Sequence, residues 1–133
     1  MLSKVKYLGD LRTESVHIRS GQSIISDAPI DNQGRGEAFS PTDIVTNAVA
    51  SCMFTIMGIK AKAMDLDISN STAAVFKEMR ENPRMISKVG IAFEMIGVAA
   101  EKDRVILERA AMTCPVFLSL HSDIEKDIQF NWK

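Results

Sequence analysis

The run Ser40-Pro41-Thr42-Asp43-Ile44-Val45-Thr46-Asn47-Ala48-Val49-Ala50-Ser51-Cys52 reads as the start of a long buried helix. Ser40 offers an N-cap hydroxyl, and Asp43 is an acid three residues after that cap. Pro41 suits the first helical position, where its missing N–H would have had no partner. Ile44, Ala48, Cys52, Ile56 and Ile59, together with Val45 and Val49, then recur at helical spacing. Charge returns only with Lys60, Lys62 and Asp65. The pattern predicts a helix buried nearly all round for its first turns. A chain of 133 residues is expected to form a single domain, 1–133. Its surface-to-volume ratio is too high for one sheet to cover such a helix, so a second subunit is expected to complete the burial.

Upstream of the helix the chain reads as β-structure. Lys4 to Leu8 alternates, and Val16 to Arg19 and Gln22 to Ser26 flank a Ser20-Gly21 turn. Asp27 to Gly36, with Pro29, Asp31, Asn32, Gly34 and Gly36, is a loop. Downstream, 72–79 and 89–95 alternate on either side of an Asn82-Pro83 turn and predict two long antiparallel strands. Glu101 to Thr113 reads as a helix with Leu107, Ala110, Ala111 and Cys114 on one stripe. Pro115 cannot continue that helix and instead starts a short one to Leu120. Ile128, Phe130 and Trp132 alternate in a terminal strand with one buried face. The class predicted is α+β.

Apolar residues make up 46% of the chain and charged residues 25%, a balance that favours a folded globular protein over disorder. The net charge is −1 with no basic run, which argues against a nucleic-acid partner. Met1 to Gly9 lacks the apolar core of an export signal, so a cytoplasmic location is expected. The longest uncharged stretch, Ile44 to Ile59, falls short of the roughly 20 residues of a membrane span, and no membrane partner is expected.

Two cysteines are too few for a disulfide scaffold and lack the paired spacing of a zinc site. Cys52 shares a helix face with Ala48 and Ile56, and an apolar setting raises a thiol pKa. A reactive Cys52 therefore needs a cation or hydrogen-bond donors, and Arg12, Arg19 and Arg35 are the arginines upstream. Cys114 precedes Pro115 at a helix N-terminus, where unpaired amides should make its thiolate the easier one to form. Two thiols in unlike settings suit either buried core cysteines or a nucleophile with a resolving partner. His17 and His121 lie near opposite ends of the chain, which argues against a Cys-His protease or metal site. Met53 and Met57 read either as adaptable core filler or as the lining of an apolar substrate pocket.

The Ser40-to-Cys52 segment resembles the helix that carries the reactive cysteine in the osmotically inducible protein C / organic hydroperoxide resistance family. Ala110-Ala111-Met112-Thr113-Cys114-Pro115-Val116 resembles that family's second cysteine motif. The order of elements agrees along nearly the whole chain. The resemblance implies an antiparallel sheet with a long central cysteine-bearing helix, completed as an intertwined homodimer with active sites at the subunit interface. It implies a thiol peroxidase in which Cys52 attacks an organic hydroperoxide, Cys114 closes a disulfide and an external dithiol reduces it, with no metal or organic cofactor. Arg12, with Arg19 in reserve, matches the activating arginine. The hydroperoxide-reducing branches place a glutamate after the helix proline to fix that arginine, and this chain has Thr42 there. Glu37 and Asp43 are the nearby acids for that task, although Asp43 also suits a helix cap. The same fold with unreactive cysteines would be a non-catalytic dimeric binder of small apolar or electrophilic ligands.

Overall fold

Three short strands, β1 (Ser3–Gly9), β2 (Arg12–His17) and β3 (Ser23–Asp27), form an antiparallel sheet in the order β1-β2-β3 in the computed structural model, which describes residues 1–133. Asp10 and Leu11 turn the chain between β1 and β2 with positive φ. The second turn is tied by His17 N–H donating to Gln22 O and Gly21 N–H donating to His17 O, both at 2.8 Å. The strand expected at Val16 to Arg19 thus begins earlier, at Arg12, and ends at His17. Polar Arg12, Thr13, Glu14 and Ser15 conceal its start from a hydrophobic pattern.

After β3 the loop is stitched back by Ala28 N–H to Leu11 O and Gly36 N–H to Ala28 O. Gly34 is required there, since a Cβ would stand 1.7 Å from Ala28 O. The strands and loop belong to one compact unit, Met1–Val45, and the remainder forms a second, Thr46–Lys133.

Helix α1 (Pro41–Ala63) begins where the sequence predicts. Asp43 N–H donates to Ser40 Oγ at 3.1 Å and Ser40 N–H to Asp43 Oδ2 at 2.9 Å, a reciprocal cap for two amides that a helix start leaves unpaired.

In the second unit, α1 buries Thr46, Val49, Ala50, Met53, Met57 and Ala61. Within the single chain the helix is therefore not buried nearly all round as expected: Ala48, Cys52 and Ile56 are half-buried, and Val45, Asn47, Ser51, Thr55 and Ile59 are exposed. The helix has apolar residues on several faces, so its sequence does not mark which one turns inward.

Strands β4 (Thr72–Arg80) and β5 (Met85–Met95) pair antiparallel, as expected. Helices α2 (Glu101–Ala111) and α3 (Pro115–Leu118) then carry the chain across, and β6 (Glu125–Trp132) lies parallel to β5. The sheet β4-β5-β6 is mixed, which corrects the expectation of a purely antiparallel one. A helical crossover returns the chain in its original direction, which a parallel pair requires.

The core of this unit is centred on Phe93, fully buried, stacked on Phe130 at 5.0 Å and met edge-on by Phe54 of α1 at 4.9 Å. Trp132 Nε1 donates to Glu108 Oε1 at 2.9 Å, joining the last strand to α2.

Candidate active site

Cys52 sits mid-way along α1, and Cys114 is the residue before α3; both are free thiols. Pro115 fixes the first backbone angle of α3 and stops α2, so the chain must turn at Cys114. The turn directs that side chain inward, to zero exposure, while Cys52 remains half-buried. The two side chains are neighbours, close enough for Cys52 to bear on the ionisation of Cys114. Phe117 N–H donates to Cys114 Sγ at 3.3 Å.

Burial pushes the Cys114 thiol above its ordinary pKa, and its nearness to Cys52 pushes it the same way. The amides of Phe117 and Val116 act in the opposite direction but do not prevail. The expectation that the helix terminus would make Cys114 the easier thiolate is corrected: a four-residue helix supplies little field, and desolvation of a sulfur with no exposed surface outweighs it. Cys114 is held in its protonated form.

In the first unit Arg12 and Asp27 are direct cross-strand partners in the β2–β3 register. Arg12 Nε donates to Asp27 Oδ1 at 2.7 Å and Nη2 to Asp27 Oδ2 at 2.8 Å, a two-pronged charge-assisted pair. Nη2 also reaches Glu37 Oε2 at 3.1 Å, and Glu37 N–H donates to Asp27 Oδ2 at 3.2 Å. Asp27 is 1% exposed and the Glu37 side chain 66%, so Asp27 is the anchor and Glu37 the outer partner. The Arg12 hydrogen bond holds the Asp27 carboxyl below its usual range despite burial, and the guanidinium is correspondingly raised.

Asp27 did not figure among the candidates read from sequence. Extending the hairpin back from the Ser20-Gly21 turn would have set it opposite Arg12, but the polar start of β2 hides that extension. Asp43 takes the capping role, and Thr42 Oγ1 lies 3.2 Å from Ser40 Oγ at the same helix start. Met53 and Met57 are fully buried core residues. They do not line the concavity of about 600 Å³ beside the second half of α1, which is bounded by Phe54, Gly58, Lys62, Leu66 and Ser69. His17 bonds Ser20 and His121 accepts from Asp123 N–H, each in an exposed turn.

Residues 34–129 match the family model described as OsmC-like protein. The chain belongs to the OsmC-like family. It is 48% identical to a protein of Psychrobacter arcticus 273-4 named for osmotic stress induction and a detoxification response, over 98% of this chain and 96% of that one, with a TM-score of 0.95. The fold is shared with an organic hydroperoxide resistance protein of Legionella pneumophila (13% identity, TM-score 0.71, 98% and 97% of the two chains). It is shared also with one from Elizabethkingia anophelis (12% identity, TM-score 0.75, 100% and 97%). No curated protein matches the sequence.

Proposed function

We propose that this protein is a cysteine-based peroxidase that reduces organic hydroperoxides in the cytoplasm, as a homodimer, with an external dithiol as electron donor. The observation that carries the reading is the neighbouring pair of free thiols Cys52 and Cys114, one half-buried and one fully buried. The Cys52 thiolate attacks the distal peroxide oxygen; the O–O bond breaks, Cys52 becomes a sulfenic acid and the alkoxide takes a proton to leave as alcohol. The Cys114 sulfur then displaces hydroxide from Cys52, its proton completes a water molecule, and a disulfide forms. A dithiol reduces that disulfide by exchange and is itself oxidised. A buried, protonated Cys114 suits the resolving role, because it does not compete for peroxide but lies near the thiol it must attack. Arg12 is assigned as the cation that favours the Cys52 thiolate. No metal or organic cofactor enters the scheme.

Dimerisation is supported by surface the single chain leaves uncovered. Ser51 Oγ donates to Asn47 O and Thr55 Oγ1 to Ser51 O, so the exposed row Asn47, Ser51 and Thr55 on α1 has its hydroxyl donors already satisfied. Val45 and Ile59 of the same helix are 42% and 64% exposed.

A second reading, a non-catalytic dimer that binds small apolar or electrophilic ligands, is favoured by one observation: Thr42 brings a hydroxyl to the position where the hydroperoxide-reducing branches carry a glutamate. A peroxidase assay with several hydroperoxides and several dithiols decides between them. The wild type turns over and Cys52→Ser does not; a wild type that consumes peroxide no faster than a free thiol at the same pH establishes the binder.

A further inference from the structure

We propose that closing the Cys52–Cys114 disulfide uncaps α3 and frays it, so that the oxidised protein, and not the reduced one, opens the sulfur pair to the external dithiol. The inference rests on the reading of the two thiols as a redox pair and concerns the step that follows disulfide closure. α3 is four residues long, far below the length at which a helix sustains itself, so it relies on its ends and its packing. Its start is capped by a thiol: Phe117 N–H donates to Cys114 Sγ at 3.3 Å. The disulfide requires the same sulfur, so one atom serves two partners, the Phe117 amide and Cys52.

Forming the bond draws the two sulfurs from neighbours to covalent distance, and one segment must yield. Cys52 lies mid-way along the 23 residues of α1, with helical turns on both sides. Cys114 lies in a non-helical junction, φ −56° and ψ 126°, between the end of α2 and the start of α3. The junction is the softer of the two, so Cys114 Sγ moves toward Cys52 and away from the Phe117 amide. An amide that has lost its acceptor in a half-buried place is unfavourable, and it reaches water when the first turn of α3 opens. Leu118 is already 68% exposed, so little packing resists the opening.

The chain on either side is fastened. Upstream, Thr113 Oγ1 donates to Ala110 O at 2.7 Å and holds the end of α2. Downstream, Lys126 of β6 donates to Ile124 O and Ile124 N–H to His121 O, both at 3.0 Å, which holds the turn into β6. Lys126 Nζ also lies 6.0 Å from the centre of the Phe117 ring, a contact given up as α3 opens. In the reduced protein Cys114 has no exposed surface. The fray thus supplies access only when there is a disulfide to reduce; the dithiol is then oxidised by exchange, both thiols are restored and α3 is capped again.

The test is amide hydrogen exchange, read residue by residue by mass spectrometry, on reduced protein and on protein oxidised with diamide, which joins two thiols without any peroxide. The disulfide is expected to speed exchange at Phe117 by about fivefold or more, equivalent to the loss of one hydrogen bond, with Leu118 following. Ile124 and the α1 amides on either side of Cys52 should keep their rates. Cys114→Ser retains a capping atom and forms no disulfide, so diamide should leave its Phe117 rate unchanged. Cys114→Ala has no cap and should exchange Phe117 at the oxidised rate even when reduced. A disulfide that forms while Phe117 exchanges no faster overturns the proposal, as does a pair of thiols that diamide cannot join. Failure of the peroxidase reading appears separately, as a protein that diamide joins and frays but that hydroperoxides do not oxidise.

Discussion

Cys52 on α1 and Cys114 at the start of α3 are neighbours, close enough for Cys52 to bear on the ionisation of Cys114, and only Cys114 is wholly withdrawn from solvent. Desolvation raises the folded-state pKa of Cys114, so the native protein holds this proton at a pH where the unfolded chain releases it. The contribution to stability is therefore intact below the ordinary thiol value of about 9 and is lost as pH rises through the higher folded value. Urea midpoints from pH 7 to pH 10.5 should decline at the alkaline end, and Cys114→Ala should flatten that decline. An equal slope in the variant would assign the alkaline loss to other groups.

Asp27 predicts the acid limb with the opposite sign. Its folded pKa is depressed, first by the Arg12 hydrogen bond, so its stabilisation is present above the ordinary carboxyl value of 3.8 and is lost as pH falls through the lower folded value. Chemical denaturation between pH 6 and pH 2 should show this loss, and Asp27→Asn should be less stable at pH 6 with a shallower acid slope. Parallel curves for the two proteins would mean that the pair is not coupled to folding.

Ser40 closes the start of α1 with Asp43 and is 2% exposed. Ser40→Ala removes the acceptor for Asp43 N–H, a loss of about 1 kcal/mol. For a chain of this size that is a fall in Tm of roughly 3 °C by calorimetry. No fall would mean that the amide finds another partner.

The uncovered α1 face and the exposed Val5, Tyr7 and Ile24 of the first unit predict a stable homodimer. Sedimentation at micromolar concentration should give twice the 14.7 kDa chain mass, with an unfolding midpoint that rises with protein concentration. A folded species at the single-chain mass would remove the dimer from the scheme.

Much of this architecture is legible in the sequence, wherever local chemistry determines it. Ser40, Pro41 and Asp43 state the helix start atom by atom, and the alternation in β4, β5 and β6 states their two faces. The direction of β6 is not written in Ile128, Phe130 and Trp132, because alternation is the same for parallel and antiparallel strands; α2 and α3 decide it. The phase of α1 is obscure because Ile44, Cys52 and Ile56 are as apolar as the buried Val49, Met53 and Met57. Cys114 misleads because its place before Pro115 shows a helix terminus, whereas its pKa is governed by burial, which depends on residues distant in the chain. Asp27 is missed for the same reason: its role exists only once β2 and β3 are in register.

The measurement closest to the central claim is the fate of the two thiols after a single peroxide equivalent. Reduced protein mixed with one equivalent of cumene hydroperoxide, quenched with a thiol-blocking reagent on the millisecond scale and mapped by mass spectrometry, should yield a Cys52–Cys114 disulfide within one chain, formed faster than a free thiol reacts at the same pH. In Cys114→Ser the same treatment should leave added oxygen on Cys52 alone, since the resolving thiol is gone. Both thiols recovered free in the wild type, or rapid peroxide consumption with oxygen added to Cys114 in Cys52→Ser, would contradict the account.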